Sequence, residues 1–285
     1  MNQGLNLSLM IGGMKASPVS RDVIEALREV QVNASAAGQS GFQLKFTLGK
    51  NSVIAKQLLP SGYFDIRRRV IISATVRGTV HVLIDGVITK LDISPSSEAG
   101  ESTLSVTGVD LSALMDFVDL SGIPYPAVIP SGIVALILAK YSAFGVMPKV
   151  VPALASLFQN PVEKFVKQVG TDLAYVKQLA GQVGHVFYID PGTKPGRSFA
   201  YWGPEIRYGK TQRPMTINMD AANNVSSLSF SYDGLQRTQQ VAVIQNPETK
   251  FPIPIPVPDL DLLKPNLARE SAAAMRVREF PWPQR

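Results

Sequence analysis

The stretch GTDLAYVKQLAGQVGHVFYIDPG, from Gly170 to Gly192, encodes a helix, a stop and a strand in succession. Thr171 or Asp172 can cap the helix, because a short side-chain oxygen satisfies the amides left unpaired at a helix start. Tyr175, Val176, Leu179, Ala180 and Val183 recur at helical spacing and mark one buried face. Gly184 can take the left-handed conformation that ends a helix. HVFYID then leaves as a strand toward a turn at Asp190, Pro191 and Gly192.

On the N-terminal side, LNLSLMIGG alternates weakly as a strand would, and Ser20 can cap a short helix carrying Val23, Ile24 and Leu27. In GFQLKFTLG, Phe42, Leu44, Phe46 and Leu48 alternate with Gln43, Lys45 and Thr47, the pattern of a strand with one buried face. RVIISATV, VHVLIDGVITKLDISP and STLSVTGVD follow as further strands. The Asp85-Gly86 pair predicts a hairpin turn between VHVLI and VITKLDI. Beyond Asp110 the texture turns helical. LSALMDFVDL is short and helical, Ser131 is placed to cap GIVALILAKYS, and NPVEKFVKQVG predicts a helix opened by Asn160 and Pro161 with a stripe of Val162, Phe165, Val166 and Val169. Strands return with SFAYWG, PMTINMD, VSSLSFSYDG and QQVAVIQNP. No repeat at solenoid spacing is present.

The C-terminal part differs in kind. FPIPIPVPD alternates Pro252, Pro254, Pro256 and Pro258 with Phe251, Ile253, Ile255 and Val257. Proline on every second residue forbids helix and holds the chain extended, so the segment suits a sheet edge or a groove on another chain as an ordered strap. The last residues, ESAAAMRVREFPWPQR, place Phe280 and Trp282 among prolines as a docking tail.

Composition narrows the chemistry. The chain has 285 residues, 45% hydrophobic and 18% charged, with a formal charge of +6. The basic residues are scattered, and the one dense run, Arg67 to Arg69, has no interleaved aromatics; it reads as a solvated strand end or a contact with an acidic neighbour, not as a nucleic-acid stripe. Cysteine is absent, which excludes a disulfide framework, a thiol nucleophile and a cysteine metal site. The N-terminus is a poor signal peptide, and the apolar run Ile133 to Ala139 is far short of the roughly 20 residues of a spanning helix. His81 and His185 each lie in a strand without a second ligand at metal spacing. No GxSxG, P-loop, GxGxxG with a following acid, or HExxH occurs, so no catalytic, cofactor-binding or metal residue is nominated and no enzyme is expected.

Thr171, Asp172, Tyr175, Val176, Leu179, Ala180, Gly184, Phe187 and Tyr188 together resemble the helix–strand element of phage baseplate hub proteins. The family comprises the late control protein D proteins and the N-terminal hub part of the valine-glycine repeat spikes of type VI secretion. SGIVALILAKYSAFGVMPKV looks like the family's preceding helix and loop, and LIDGVITKLDISPSSEAGESTLSVTGVDLSALMD like its barrel strands. ALREVQVNASAAGQSGFQLKFTLG resembles the opening of hubs from extracellular contractile injection systems. The likeness runs from about Leu9 to Gly234, and the resemblance implies a stand-alone hub whose spike is expected on a separate polypeptide.

The resemblance implies a mainly β fold with an α/β insert: two tail-tube-like β-barrels per chain, three chains making a pseudo-sixfold ring that adapts a trimeric spike to a sixfold inner tube. The implied division is 1–110 for the first barrel, 111–196 for the insert, 197–246 completing the second barrel and 247–285 for strap and tail. Implied partners are further copies of the chain, an inner tube or tube-initiator protein, a separate spike and baseplate wedge components, with no specific nucleic acid and no stable membrane insertion. Assembly would take place in the bacterial cytoplasm, within a phage tail or injection particle. Asp172, Tyr175, Val176, Leu179, Phe187 and Tyr188 become expected packing or subunit-contact residues, and Phe251, Ile253, Ile255, Val257, Phe280 and Trp282 expected contacts of the strap and tail. Two other readings remain from the residues: a monomeric carbohydrate- or surface-binding module with Tyr201, Trp202 and Tyr208 as a stacking platform, and a cell-wall hydrolase, for which no carboxylate pair stands out.

Overall fold

Apolar–polar alternation over residues 6–110 is realised as one antiparallel sheet. The computed structural model describes residues 6–35, 38–96, 102–126, 129–153, 165–206, 214–217, 223–225, 227–229, 238–245, 252–256 and 276–279. The chain divides into two units, Met1–Glu205 and Ile206–Arg285.

The first unit opens with β1 (Asn6–Gly12), β2 (Ala16–Pro18), a single helical turn and a half in α1 (Arg21–Ala26), β3 (Leu27–Asn33) and β4 (Gly41–Thr47). After a π-helical turn at Ile54–Leu58 come β5 (Arg69–Val76), β6 (Thr79–Ser94) and β7 (Thr103–Asp110). The sheet order is β2-β1-β5-β6-β7-β4-β3. Among the described residues β2 and β3 do not pair, so hydrogen bonds do not close the sheet into a barrel. Phe42, Leu44 and Phe46 of β4 are buried with Leu9, Ile11, Ile72, Ile84, Leu104 and Val106, as the period-two pattern requires.

One strand contradicts its sequence reading. No hairpin turn forms at Asp85-Gly86: β6 runs unbroken from Thr79 to Ser94, and Asp85 lies 2% exposed in its middle, opposite Ile71. The tight turn is instead at Arg77 (φ 51°) and Gly78 (φ 79°), joining Val76 to Thr79. Gly86 has another purpose, because a methyl there would overlap the Val109 carbonyl oxygen across the strand pair. Gly86→Ala is therefore expected to cost roughly 1–3 kcal/mol by overpacking, read as a lowered melting temperature; an unchanged melt would mean the crossing relaxes freely.

Of the arginine run, Arg67 is exposed and Arg68 half-buried, but Arg69, at the strand end itself, is not solvated. Arg69 is 5% exposed; its Nε and Nη2 donate to the two Asp85 oxygens, each at 2.7 Å, and Nη1 donates to the Met14 carbonyl. Arg68 Nε donates to the Gly62 carbonyl, and Arg67, at φ 72°, lies 4.6 Å from the Phe117 ring centroid.

The rest of the first unit packs on this sheet. A 3₁₀ turn at Leu111–Met115, capped by the Asp110 carboxylate accepting from the Ser112 amide, leads to β8 (Pro124–Pro126) and α2 (Pro130–Ala139). Ser131 lies inside α2, buried; Ile129 holds the capping position, without a side-chain cap. Then follow β9 (Val146–Val150), β10 (Phe165–Lys167), α3 (Asp172–Gln182), β11 (Val186–Pro191) and β12 (Ser198–Gly203). Residues 165–167 are a strand paired with β8, so the helix expected there does not form, and Val169 is 64% exposed. Residues 160–164 lie outside the described residues. β11, β12 and β9 make a mixed three-stranded sheet, antiparallel then parallel. Ser198 Oγ donates to Asp85, which attaches the start of β12 to the large sheet through the buried Arg69–Asp85 pair.

The second unit contains β13 (Thr238–Gln245), β14 (Pro252–Pro256) and β15 (Arg276–Glu279), ordered β14-β13-β15. The described pieces of the strands expected across 214–229 are irregular; Asn224 and Val225 amides donate to the Thr216 carbonyl. The proline strap is an edge strand, antiparallel to β13 of its own chain. Phe251, Val257, Phe280 and Trp282 lie outside the described residues.

Candidate functional site

The helix read from the opening stretch stands at the centre of the insert's core, with both ends made by local chemistry. Thr171 Oγ1 accepts from the Ala174 amide and donates to Asp116 Oδ1 at 2.6 Å. At the other end Gly184 takes φ 68°, and the His185 amide donates to the Ala180 carbonyl at 2.8 Å, the six-to-one bond of a Schellman cap.

Asp172 is only 1% exposed, yet its carboxylate is fully partnered. The Tyr141 hydroxyl donates to it at 2.7 Å and Gln168 Nε2 at 2.8 Å, while Lys140 Nζ, half-exposed, lies 2.7 Å away. Gln168 Oε1 accepts in turn from the Tyr125 hydroxyl at 3.0 Å. Burial first, and then the bond to Asp172, push the Tyr141 hydroxyl far above its ordinary range. The network joins the end of α2, β8 and the start of α3. A buried carboxylate costs several kcal/mol unless it is paired and hydrogen-bonded, and here it is both.

Tyr175, Val176 and Leu179 are all buried in one cluster with Ile133, Ile137, Ile189 and Trp202, and Phe187 packs against it half-buried. The Tyr175 ring lies 6.1 Å from Tyr125 at 19°; its hydroxyl is buried with no hydrogen-bond partner among the described residues, and burial raises its pKa. Trp202 Nε1 donates to the Val176 carbonyl at 3.3 Å. Tyr188 belongs elsewhere. It projects from the opposite face of β11, its ring 5.1 Å from Tyr201. The structure thus gathers Asp172, Tyr175, Val176, Leu179 and Phe187 and separates Tyr188 from them. Ile253 and Ile255 lie in β14 of the second unit.

Sequence reasoning missed Tyr125, Tyr141 and Gln168. Tyr125 and Tyr141 stood among loop and helix-end residues, and Gln168 fell in a wrongly expected helix. The tyrosine platform does not survive: Trp202 is 0% and Tyr201 4% exposed, so neither can stack on a glycan, and Tyr208 lies outside the described residues. His185 sits edge-on to Trp202 at 4.5 Å, its Nδ1 buried with no partner among the described residues; burial lowers its pKa. Among the described residues no group of three or more histidine, cysteine or acidic side chains could hold a metal ion, and no helix is long and apolar enough to cross a membrane. A cleft of about 290 Å³ is lined by Ser35, Leu83, Asp85, Asp110, Tyr188 and Asp190. Asp85 is committed to Arg69 and Ser198, and Asp110 to the Ser40 and Ser112 amides, so neither is available as a catalytic carboxylate. Among the described residues these two carboxylates are engaged in holding strands and turns together.

No protein-family model matches the sequence, and no curated relative does. Solved structures do match. The tail protein from Neisseria meningitidis MC58 aligns over 84% of this chain at 13% identity with a TM-score of 0.53. The 43 kDa tail protein of prophage MuSo2 from Shewanella oneidensis aligns over 96% at 14% identity, TM-score 0.53. The chain carries the fold of these tail proteins. A chain of the PdpA–VgrG complex, in its lidless form, shares that tail fold over 97% of the present chain at 9% identity, TM-score 0.55. The present chain spans 64%, 72% and 49% of the three respective proteins. The family expectation thus holds at the level of fold: most of the chain is structurally similar to phage tail proteins and to the PdpA–VgrG complex.

Proposed function

We propose that this chain is the structural hub of a contractile baseplate, in a phage tail or an extracellular injection particle, joining a trimeric spike to the sixfold inner tube. The tail-protein fold over nearly the whole chain carries this reading. It gains support from a polar core that is spent on holding secondary structure together. In this reading the parts 1–110 and 197–246 supply two tube-like β-barrel modules, 111–196 the insert between them and 247–285 the strap and tail. Three copies then present six similar modules to the tube, which converts threefold into sixfold symmetry. The α3 core positions a subunit contact, and the chain's partners are its own copies, the tube or its initiator, a separate spike and the wedge. The particle is assembled in the bacterial cytoplasm.

The solution mass tests this directly. Light scattering on the full chain, alone and co-expressed with its spike, is expected to give three times 30.8 kDa in at least one condition. A monomer in both conditions overturns the proposal.

A further inference from the structure

Among the described residues, each of the four sheets has an edge strand that carries proline, and in every case the proline nitrogen faces away from the neighbouring strand. In β2 the Val19 amide donates to the Leu9 carbonyl at 3.1 Å, and the antiparallel register pairs Ser17 with Ile11 and Pro18 with Met10. Backbone groups alternate sides along a strand, so Pro18 faces outward. In β8 the Gln168 amide donates to the Ile123 carbonyl at 2.9 Å. The same register then turns Tyr125 toward Val166 and leaves Pro124 and Pro126 outward. In β9 the Ser198 amide donates to Gly145 and the Val151 amide to Trp202, which places the odd-numbered residues toward β12 and Pro148 outward. In β14 proline chemistry alone settles the register. Pro252, Pro254 and Pro256 have no amide hydrogen, so Ile253 and Ile255 exchange the bonds with Ile244 and Ala242.

We propose that proline at these outward nitrogens closes one edge of each sheet to strand addition, so that an extended strand from another chain can pair only along the opposite edges. An incoming strand needs donors as well as acceptors; β8 and β14, with proline on alternate residues, offer carbonyls alone, while Pro18 and Pro148 each remove one outward donor from β2 and β9. The far edges are built differently. β3, β10 and β15 contain no proline, and β11 has one only as its last residue. The strap is the fullest case, with three successive outward positions blocked. The inference is independent of the hub reading, since it follows from register and backbone chemistry.

Hydrogen exchange on the full chain tests the register. The segment Pro252–Pro256 has only two amide hydrogens, those of Ile253 and Ile255. Both are expected to exchange at least about 100-fold more slowly than in an unstructured peptide; exchange of both at the unstructured rate overturns the assignment. Replacing Pro252, Pro254 and Pro256 together by threonine restores outward donors. With the two isoleucine amides still protected, this variant is expected to show concentration-dependent association by light scattering beyond that of the parent chain. An unchanged mass overturns the edge-closing role. If the triple variant loses protection, Pro18→Thr and Pro148→Val carry the same expectation, and parental mass in both overturns it.

Discussion

Asp85→Ala is expected to remove roughly 3–5 kcal/mol of stability from the first unit, because it strands the Arg69 guanidinium in a site where the side chain is 6% exposed. Arg69 would retain the Met14 carbonyl and lose both charge-assisted bonds. The Ser198 hydroxyl would lose its acceptor as well, loosening the attachment of β12 to the large sheet. An apolar replacement of both partners, Arg69→Met with Asp85→Leu, removes the stranded charge and is expected to recover most of the loss. Unfolding in urea, followed by tryptophan fluorescence in a Trp282→Phe background, reports the first unit through Trp202, the remaining tryptophan. A loss under about 1 kcal/mol for the single change would show that water reaches the arginine and that the pair is not the clasp described here.

Leu179→Asp is expected to abolish folding of the insert, with insoluble or unassembled protein as the result. Leu179 is 3% exposed in the cluster around Trp202, with Val176 at 0% and Tyr175 at 2% beside it on α3. A carboxylate there finds no partner, and the cost exceeds about 4–5 kcal/mol, the range reserved for buried unpaired charge. Leu179→Ala grades the effect at about 2–5 kcal/mol through the cavity alone. Leu136→Asp, on the 56% exposed side of α2, serves as the control and should leave the fold within about 0.5 kcal/mol. A soluble Leu179→Asp protein that melts with the parent chain would contradict the buried position, and normal assembly of it would contradict the proposed subunit contact.

Elements whose information lies within a turn or two of chain were legible beforehand. Helix α3 and β11 fall where the capping threonine, the apolar face and the terminating glycine place them, with α3 ending at Gln182. Strand β4 follows its alternation from Gly41 to Thr47. The alternate prolines confine β14 to an edge, since a strand without amides on one side cannot lie inside a sheet. Among the candidate site residues, burial of Tyr175, Val176 and Leu179 follows from the same helical spacing.

What failed was information held between distant segments. Asp85-Gly86 carries a strong local turn signal, but Arg69 sits sixteen residues earlier and binds the Asp85 carboxylate from the neighbouring strand, while Val109 comes close enough to require a glycine. Both demands are met by an extended chain, and continuous pairing of β6 with β5 and β7 through residues 85–87 outweighs the turn preference. Residues 165–167 likewise become strand because β8 lies beside them, although their spacing suits a helix. The Asp172 network draws on Tyr125, Tyr141 and Gln168, whose polar ends have no common local pattern. Sequence by itself determined α3 with its two ends, the alternation of β4 and the edge position of the proline strap. Tertiary structure alone decided which strands continue, which charges meet and which aromatics are covered, because desolvation and pairing depend on neighbours that chain spacing does not specify.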